Sequence, residues 1–154
     1  MNIQIARYFS VALVILTTSA LSLAEESMKK QYTDDELISI LQDDAYRAVE
    51  LMEERIINIK VDGQMYVLYI YDDNDLQLYY GLTGYSITLE VINDWNRTRR
   101  LSRAYLDEDN DPVLESDLLA NAGITPKQIT EWVSVFLGSS QAYRQHVNEN
   151  DQSE

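Results

Sequence analysis

Apolar positions along the chain change period several times, and each change marks an element. Leu37, Ile40, Leu41 and Ala45 fall at i, i+3, i+4 and i+8, the spacing of one helical face. Thr33 and Glu36 stand just ahead of that face as a capping box. Together they predict a first helix from Asp34 to about Asp44. The period then drops to two. Ala48, Val49, Leu51 and Met52 suggest a short strand, and Ile57, Ile59 and Val61 alternate with Asn58 and Lys60. Asp62-Gly63 predicts a tight hairpin, because a two-residue turn needs positive φ and glycine supplies it. The return strand is Met65 to Tyr71, Asp72 to Asp75 is a polar turn, and Leu76 to Leu82 is a further strand. In that last strand Leu76, Leu78, Tyr80 and Leu82 share a face. Strands joined by such short turns imply an antiparallel meander.

Helical spacing returns after Gly81 and Gly84. Ser86 is placed to cap a second helix, with Leu89, Ile92 and Asn96 on one stripe and Val91 and Trp95 beside it, ending near Trp95. Arg97, Arg99 and Arg100 follow, where a helix C-terminus favours cations. Leu101 to Leu106 and Val113 to Leu118 read as two strands around the turn Asp107 to Pro112. Thr125-Pro126-Lys127-Gln128 is a third helix start. Ile129, Trp132, Val133, Phe136, Tyr143 and Val147 carry the helix to about His146, with Gly138-Ser139-Ser140 a place for a bend. The expected fold is α+β: helix, antiparallel β-meander, helix, β-hairpin, long C-terminal helix.

Composition narrows the address and the chemistry. Met1 to Ala24 carries a single positive side chain, an apolar run from Tyr8 to Leu23, and small residues at Ser22 and Ala24. That is the pattern of a secretory signal peptide cleaved after Ala24. The run is short for a membrane span of about 20 residues. The expected organisation is therefore a signal peptide over 1–24, a flexible lead-in over 25–32, the domain over 33–147 and a polar, frayed tail over 148–154. A periplasmic or secreted location follows, with no stable membrane insertion after cleavage. The chain carries 26 acidic against 12 basic side chains, a net charge of −14. Such a chain repels phosphate backbones, so nucleic acid is not an expected partner. It has no cysteine, so its core alone must hold it together.

Residues 93–118 then carry a resemblance. Asn93, Trp95-Asn96, Arg103-Ala104-Tyr105-Leu106-Asp107-Glu108-Asp109, Pro112-Val113-Leu114-Glu115 and Asp117-Leu118 resemble the YbjN family of bacterial proteins. Membership implies a fold like that of type III secretion chaperones and a role in sensory transduction regulation. It implies no catalytic residues. The motif residues it singles out are Asn93, Trp95, Asn96, Arg103, Tyr105, Asp107, Asp109 and Glu115. Relatives carry cysteines near the middle strands, where this chain has Asp72-Asp73-Asn74-Asp75.

Candidate chemistry is sparse. Asp107, Asp109 and Asp111 mimic the start of a calcium loop, but the sixth and twelfth positions hold Pro112 and Leu118 in place of glycine and glutamate. A solvated hairpin is the better reading. No nucleophile elbow and no glycine-rich phosphate loop is present, so neither catalytic residues nor a cofactor is expected. His146, the single histidine, reads as solvated. Trp95 reads as buried against the sheet, with Asn96 tying the helix end to the next strand. The arginines after it are expected to pair with the acidic turn. Eleven tyrosines are many for this length, and Tyr69, Tyr71 and Tyr79 should point away from the face holding Tyr66, Leu68 and Leu78. If helices cover the latter face, those three tyrosines form an open binding surface. They could equally cover the sheet as cross-strand pairs. The expected function is an exported, non-catalytic protein-binding or chaperone-like module that docks a partner protein or a second copy of itself. A carboxylate-dependent hydrolase and a calcium-binding module are the alternatives.

Overall fold

The computed structural model describes residues 28–153. The expected signal peptide lies outside them. Three helices and six strands appear: α1 (Asp34–Asp43), β1 (Ala48–Glu53), β2 (Ile56–Val61), β3 (Gln64–Ile70), β4 (Leu76–Gly81), α2 (Leu89–Thr98), β5 (Arg103–Leu106), β6 (Pro112–Leu118) and α3 (Pro126–Asn150). All six strands form one antiparallel sheet in the order β1-β2-β3-β4-β6-β5. The fold is α+β, as the periodicity predicts.

Local chemistry explains most boundaries. Both capping boxes form: Thr33 accepts from the Glu36 N–H, Thr125 accepts from the Gln128 N–H, and each third-position side chain bonds back. Asp62 and Gly63 both adopt positive φ, 51° and 77°, so the β2–β3 turn is the tight primed type that matches strand twist. α1 stops at Asp43, and Ala45 at φ 77° leaves the predicted apolar stripe and is exposed. Ser86 does not cap α2. That helix begins three residues later behind Thr88, which makes no side-chain cap bond, and it continues to Thr98. The Ser86 backbone instead bonds to Asp151 and Gln152. The expected frayed end is thus tied down: α3 runs unbroken past Gly138 to Asn150, and the residues after it pin the β4–α2 loop. At the other end, Lys29 bridges to Ile124 and the Tyr32 hydroxyl donates to the Ile124 carbonyl at 2.8 Å, so the expected loose lead-in joins the fold from Lys29 on.

The helices lie on one side of the sheet. Ile57, Ile59, Leu68, Leu76, Leu78, Tyr80 and Leu114 point toward them and are almost wholly buried, with Ile129, Val133, Phe136, Tyr143 and Val147 of α3 in the same core. α1 packs on β1 and β2, α3 on β4 and β6, and α2 on β5 and α3. Two groups within this layer differ from expectation. Trp95 is buried, but its ring meets Tyr143 of α3 edge-on at 5.0 Å. His146 is half-buried, 5.7 Å from the Trp95 ring, with Nε2 3.0 Å from the Val91 carbonyl. Both follow from α3 lying close enough to α2 for their side chains to interlock.

Candidate functional site

Among the described residues no helix covers the opposite face of the sheet, and register decides what it displays. Asn58, Val67, Tyr79, Glu115 and Arg103 line up across β2, β3, β4, β6 and β5. The neighbouring row on the same face is Ile56, Tyr69, Gln77 and Asp117, and Gly81, Val113 and Tyr105 form the row on the other side. Tyr69 and Tyr79 are diagonal neighbours, ring centroids 6.3 Å apart and nearly perpendicular. That is the preferred edge-to-face geometry. Tyr79 also lies over Gly81, where an added Cβ would sit 3.0 Å from its hydroxyl. The glycine is therefore a seat for the ring as well as a strand end. Tyr71 is about half exposed and donates to the Gln77 side chain at 2.9 Å; Gln77 donates to Asp117 at 2.8 Å. The tyrosines thus pair across strands and remain partly open to solvent.

Glu115 is the centre of this face. It is only 6% exposed. One carboxylate oxygen accepts from the Tyr105 hydroxyl at 2.5 Å, and the other accepts from the Arg103 guanidinium. Arg103 also stands over the Tyr105 ring, 5.7 Å from its centroid. Burial, then the hydrogen bond to Glu115 and its charge, push the Tyr105 hydroxyl well above the ordinary phenol range. Burial, followed by the negative charge of Asp107 and then of Glu115 and Asp111, does the same, less strongly, to Tyr79. Tyr71 is raised for like reasons, burial first and then Glu115 and Asp117. These phenols are neutral hydrogen-bonding groups at physiological pH.

The structure thus sorts the motif residues. Arg103, Tyr105 and Glu115 meet on the open face beside Tyr69, Tyr71 and Tyr79. Asn96 acts from the edge: its side chain accepts from the Ala104 N–H and donates to the Ala104 carbonyl, both at 2.9 Å, replacing a neighbouring strand on β5. Trp95 holds α2 to α3. Asn93 lies exposed on α2, away from the sheet face. Asp107 closes its hairpin by accepting from the N–H groups of Asp109 and Asp111 at 3.0 and 2.9 Å. Its carboxylate is thus a turn cap, and among the described residues there is no group of three or more His, Asp or Glu side chains placed to hold a metal ion. The arginines do not pair with this turn. Arg97 bonds Asp94 at 2.6 Å, Arg99 lies over the Trp95 ring and Arg103 takes Glu115. Sequence reasoning missed Gln77, Asp117 and Gly81 as parts of the face. Their parity was legible, but the pairing of β4 with β6 was not.

A second feature borders the face. β5 stops opposite Glu115, so Ser116 to Leu118 pair with β4 alone. A cleft of about 620 Å³ opens there between β6 and α3, lined by Leu101, Trp132 and Val135 among others. Ser116 crosses its floor, donating to the Leu101 carbonyl and accepting from the Trp132 indole.

The comparisons with known proteins agree with the motif. The family model for YbjN, described as "Putative bacterial sensory transduction regulator", matches residues 33–149. No curated protein matches the sequence. Among solved structures the chain is similar to the type III secretion chaperone SycH of Yersinia pestis, solved in complex with a stable fragment of YscM2. The two are 21% identical, the likeness covers 69% of this chain and 98% of that one, and the TM-score is 0.48. That likeness is one of outline only.

Proposed function

The chain belongs to the YbjN family, and from that premise we propose that it is an exported, non-catalytic module that docks a partner protein on the open face of its sheet, in a regulatory role. The observation that carries this reading is the one-sided helical layer. It leaves Tyr69, Tyr71, Tyr79 and Tyr105 on a bare, partly exposed sheet surface. Tyrosine brings large contact area at low ordering cost, which suits a recognition surface. The buried Glu115 carboxylate, bonded to the exposed Arg103 and the half-buried Tyr105, fixes the middle of that surface, so little order has to be gained on binding. A hydrolase needs two free carboxyl groups in a cleft. Glu115 here uses both oxygens on Arg103 and Tyr105, and Asp117 accepts from Gln77, which favours the binding role.

A photocrosslinking amino acid placed at Tyr69 or Tyr79 of the protein in living cells tests the docking face. The expected outcome is one discrete adduct from either position and none from Glu131 or Ser139 on α3. Adducts from α3 alone, or from no position, would remove the sheet face from the reading. Export is tested separately. Fractionation and N-terminal sequencing should find a chain beginning at Glu25 outside the cytoplasm, and an intact Met1 in the cytoplasm would refute it.

A further inference from the structure

We propose that the docking face selects a cationic partner: a protein segment carrying several lysine or arginine side chains, which lie on the tyrosine rings and meet the carboxylates around them. The inference rests on the docking reading above and adds the partner's chemistry. Its first support is a precedent inside the chain. Arg103 already occupies this face in the manner proposed, its guanidinium over the Tyr105 ring and bonded to Glu115. A cation over a tyrosine ring is attracted by the negative face of the π-system, and more strongly when water is excluded.

The second support is that further tyrosine rings stand beside this pair with no cation over them among the described residues. Tyr69 and Tyr79 present rings on the face. Asp107 and Asp111 at the hairpin, with Glu115, are the carboxylates whose charge reaches Tyr79, and Glu115 and Asp117 are those that reach Tyr71. Four carboxylates thus border the tyrosines against the guanidinium of Arg103; that of Arg55 reaches the Tyr71 backbone carbonyl and is paired with Asp72. Lys60 shares the face but sits away from the tyrosines, paired with Met65 and Ala48.

The third support is the charge of the whole chain. At −14, a second copy would bring like charge against this surface. Like-charge contact is unfavourable, so a homodimer through this face is disfavoured and an oppositely charged partner is favoured.

Fluorescence anisotropy with labelled ten-residue peptides decides it, using the full protein with its fold checked by circular dichroism. The probes are a Lys/Arg-rich peptide, a neutral Gly/Ser peptide and a Glu-rich peptide. The Lys/Arg-rich peptide should bind best and weaken steeply with salt. Asp111→Asn with Asp117→Asn should weaken it roughly threefold to tenfold, from the small worth of each partly solvated pair. Asp43→Asn with Asp44→Asn makes the same charge change on the far side of the molecule and should change it less than twofold. Tyr69→Ser with Tyr79→Ser should weaken it about as much as the first pair. Equal losses from the two aspartate pairs would mean binding to overall charge and would overturn the proposal. So would preference for the neutral or acidic probe. If that preferred probe is also lost in Tyr69→Ser/Tyr79→Ser, the docking face survives and only its selectivity falls. If no probe responds to the tyrosine changes, both fall.

Discussion

The two faces of the sheet are built from the same strands and hold together by different means. The covered face is aliphatic and closed. Leu78 is 1% exposed and has neighbours on every side, from β3, β6 and the helices. The open face is held by pairs: ring on ring for Tyr69 and Tyr79, carboxylate on guanidinium and phenol at Glu115, amide between phenol and carboxylate at Gln77. One face gains from removal of apolar area from water, which is non-directional. The other gains from contacts whose worth depends on geometry and which water can partly replace. A protein can lend the second kind of face to a partner without endangering its core.

The sharpest way to break this contrast is a truncation on each side of β4. Leu78→Ala should cost about 2–5 kcal/mol, the range for a buried leucine leaving a cavity. Tyr79→Ala, one residue on, should cost only about 1 kcal/mol, because its ring is half open and pairs on one side. Urea denaturation of both variants reads the difference directly, and equal losses would mean that the open face is a second core. The next largest effect is expected at the edge. Asn96→Ala removes both bonds to Ala104 from the outermost strand and should cost about 1–3 kcal/mol. Amide exchange should rise first in β5, and a uniform rise across the sheet would contradict a local role.

The smallest effect should have the opposite sign. The Tyr143 hydroxyl is buried without a hydrogen-bond partner among the described residues, and burial pushes its pKa far up. Tyr143→Phe should leave stability unchanged or raise it by about 1 kcal/mol. It also bears on pH. The pKa of Tyr80 is raised to about 12 by burial, and those of Tyr105 and Tyr143 are raised further. A raised pKa means that the unfolded chain gives up its proton first. The stability these groups contribute is therefore complete below about pH 10, the unfolded value, and declines as pH rises through the folded values. Tyr143→Phe should flatten that alkaline decline, measured by thermal melts between pH 8 and 12. A decline of unchanged slope would place the sensitivity elsewhere.

Much of this was legible in the residues themselves. Capping boxes, the Asp62-Gly63 turn and the parity of Leu76 to Leu82 are rules of the nearest few positions, so sequence determined the elements, their order and the two faces of each strand. The motif around Trp95 to Leu118 also named the family without any coordinates. What sequence could not decide is which strands lie side by side. β6 inserts between β4 and β5, a choice made by the packing of α2 and α3 against the sheet, and only that insertion brings Glu115 beside Tyr79 and Asp117 beside Gln77. The same long-range packing put His146 beside Trp95 and tied Ser86 to Asp151. Local pattern fixes what each residue faces; neighbours distant in sequence are settled by how whole layers close over apolar surface, and no short window of residues contains that information.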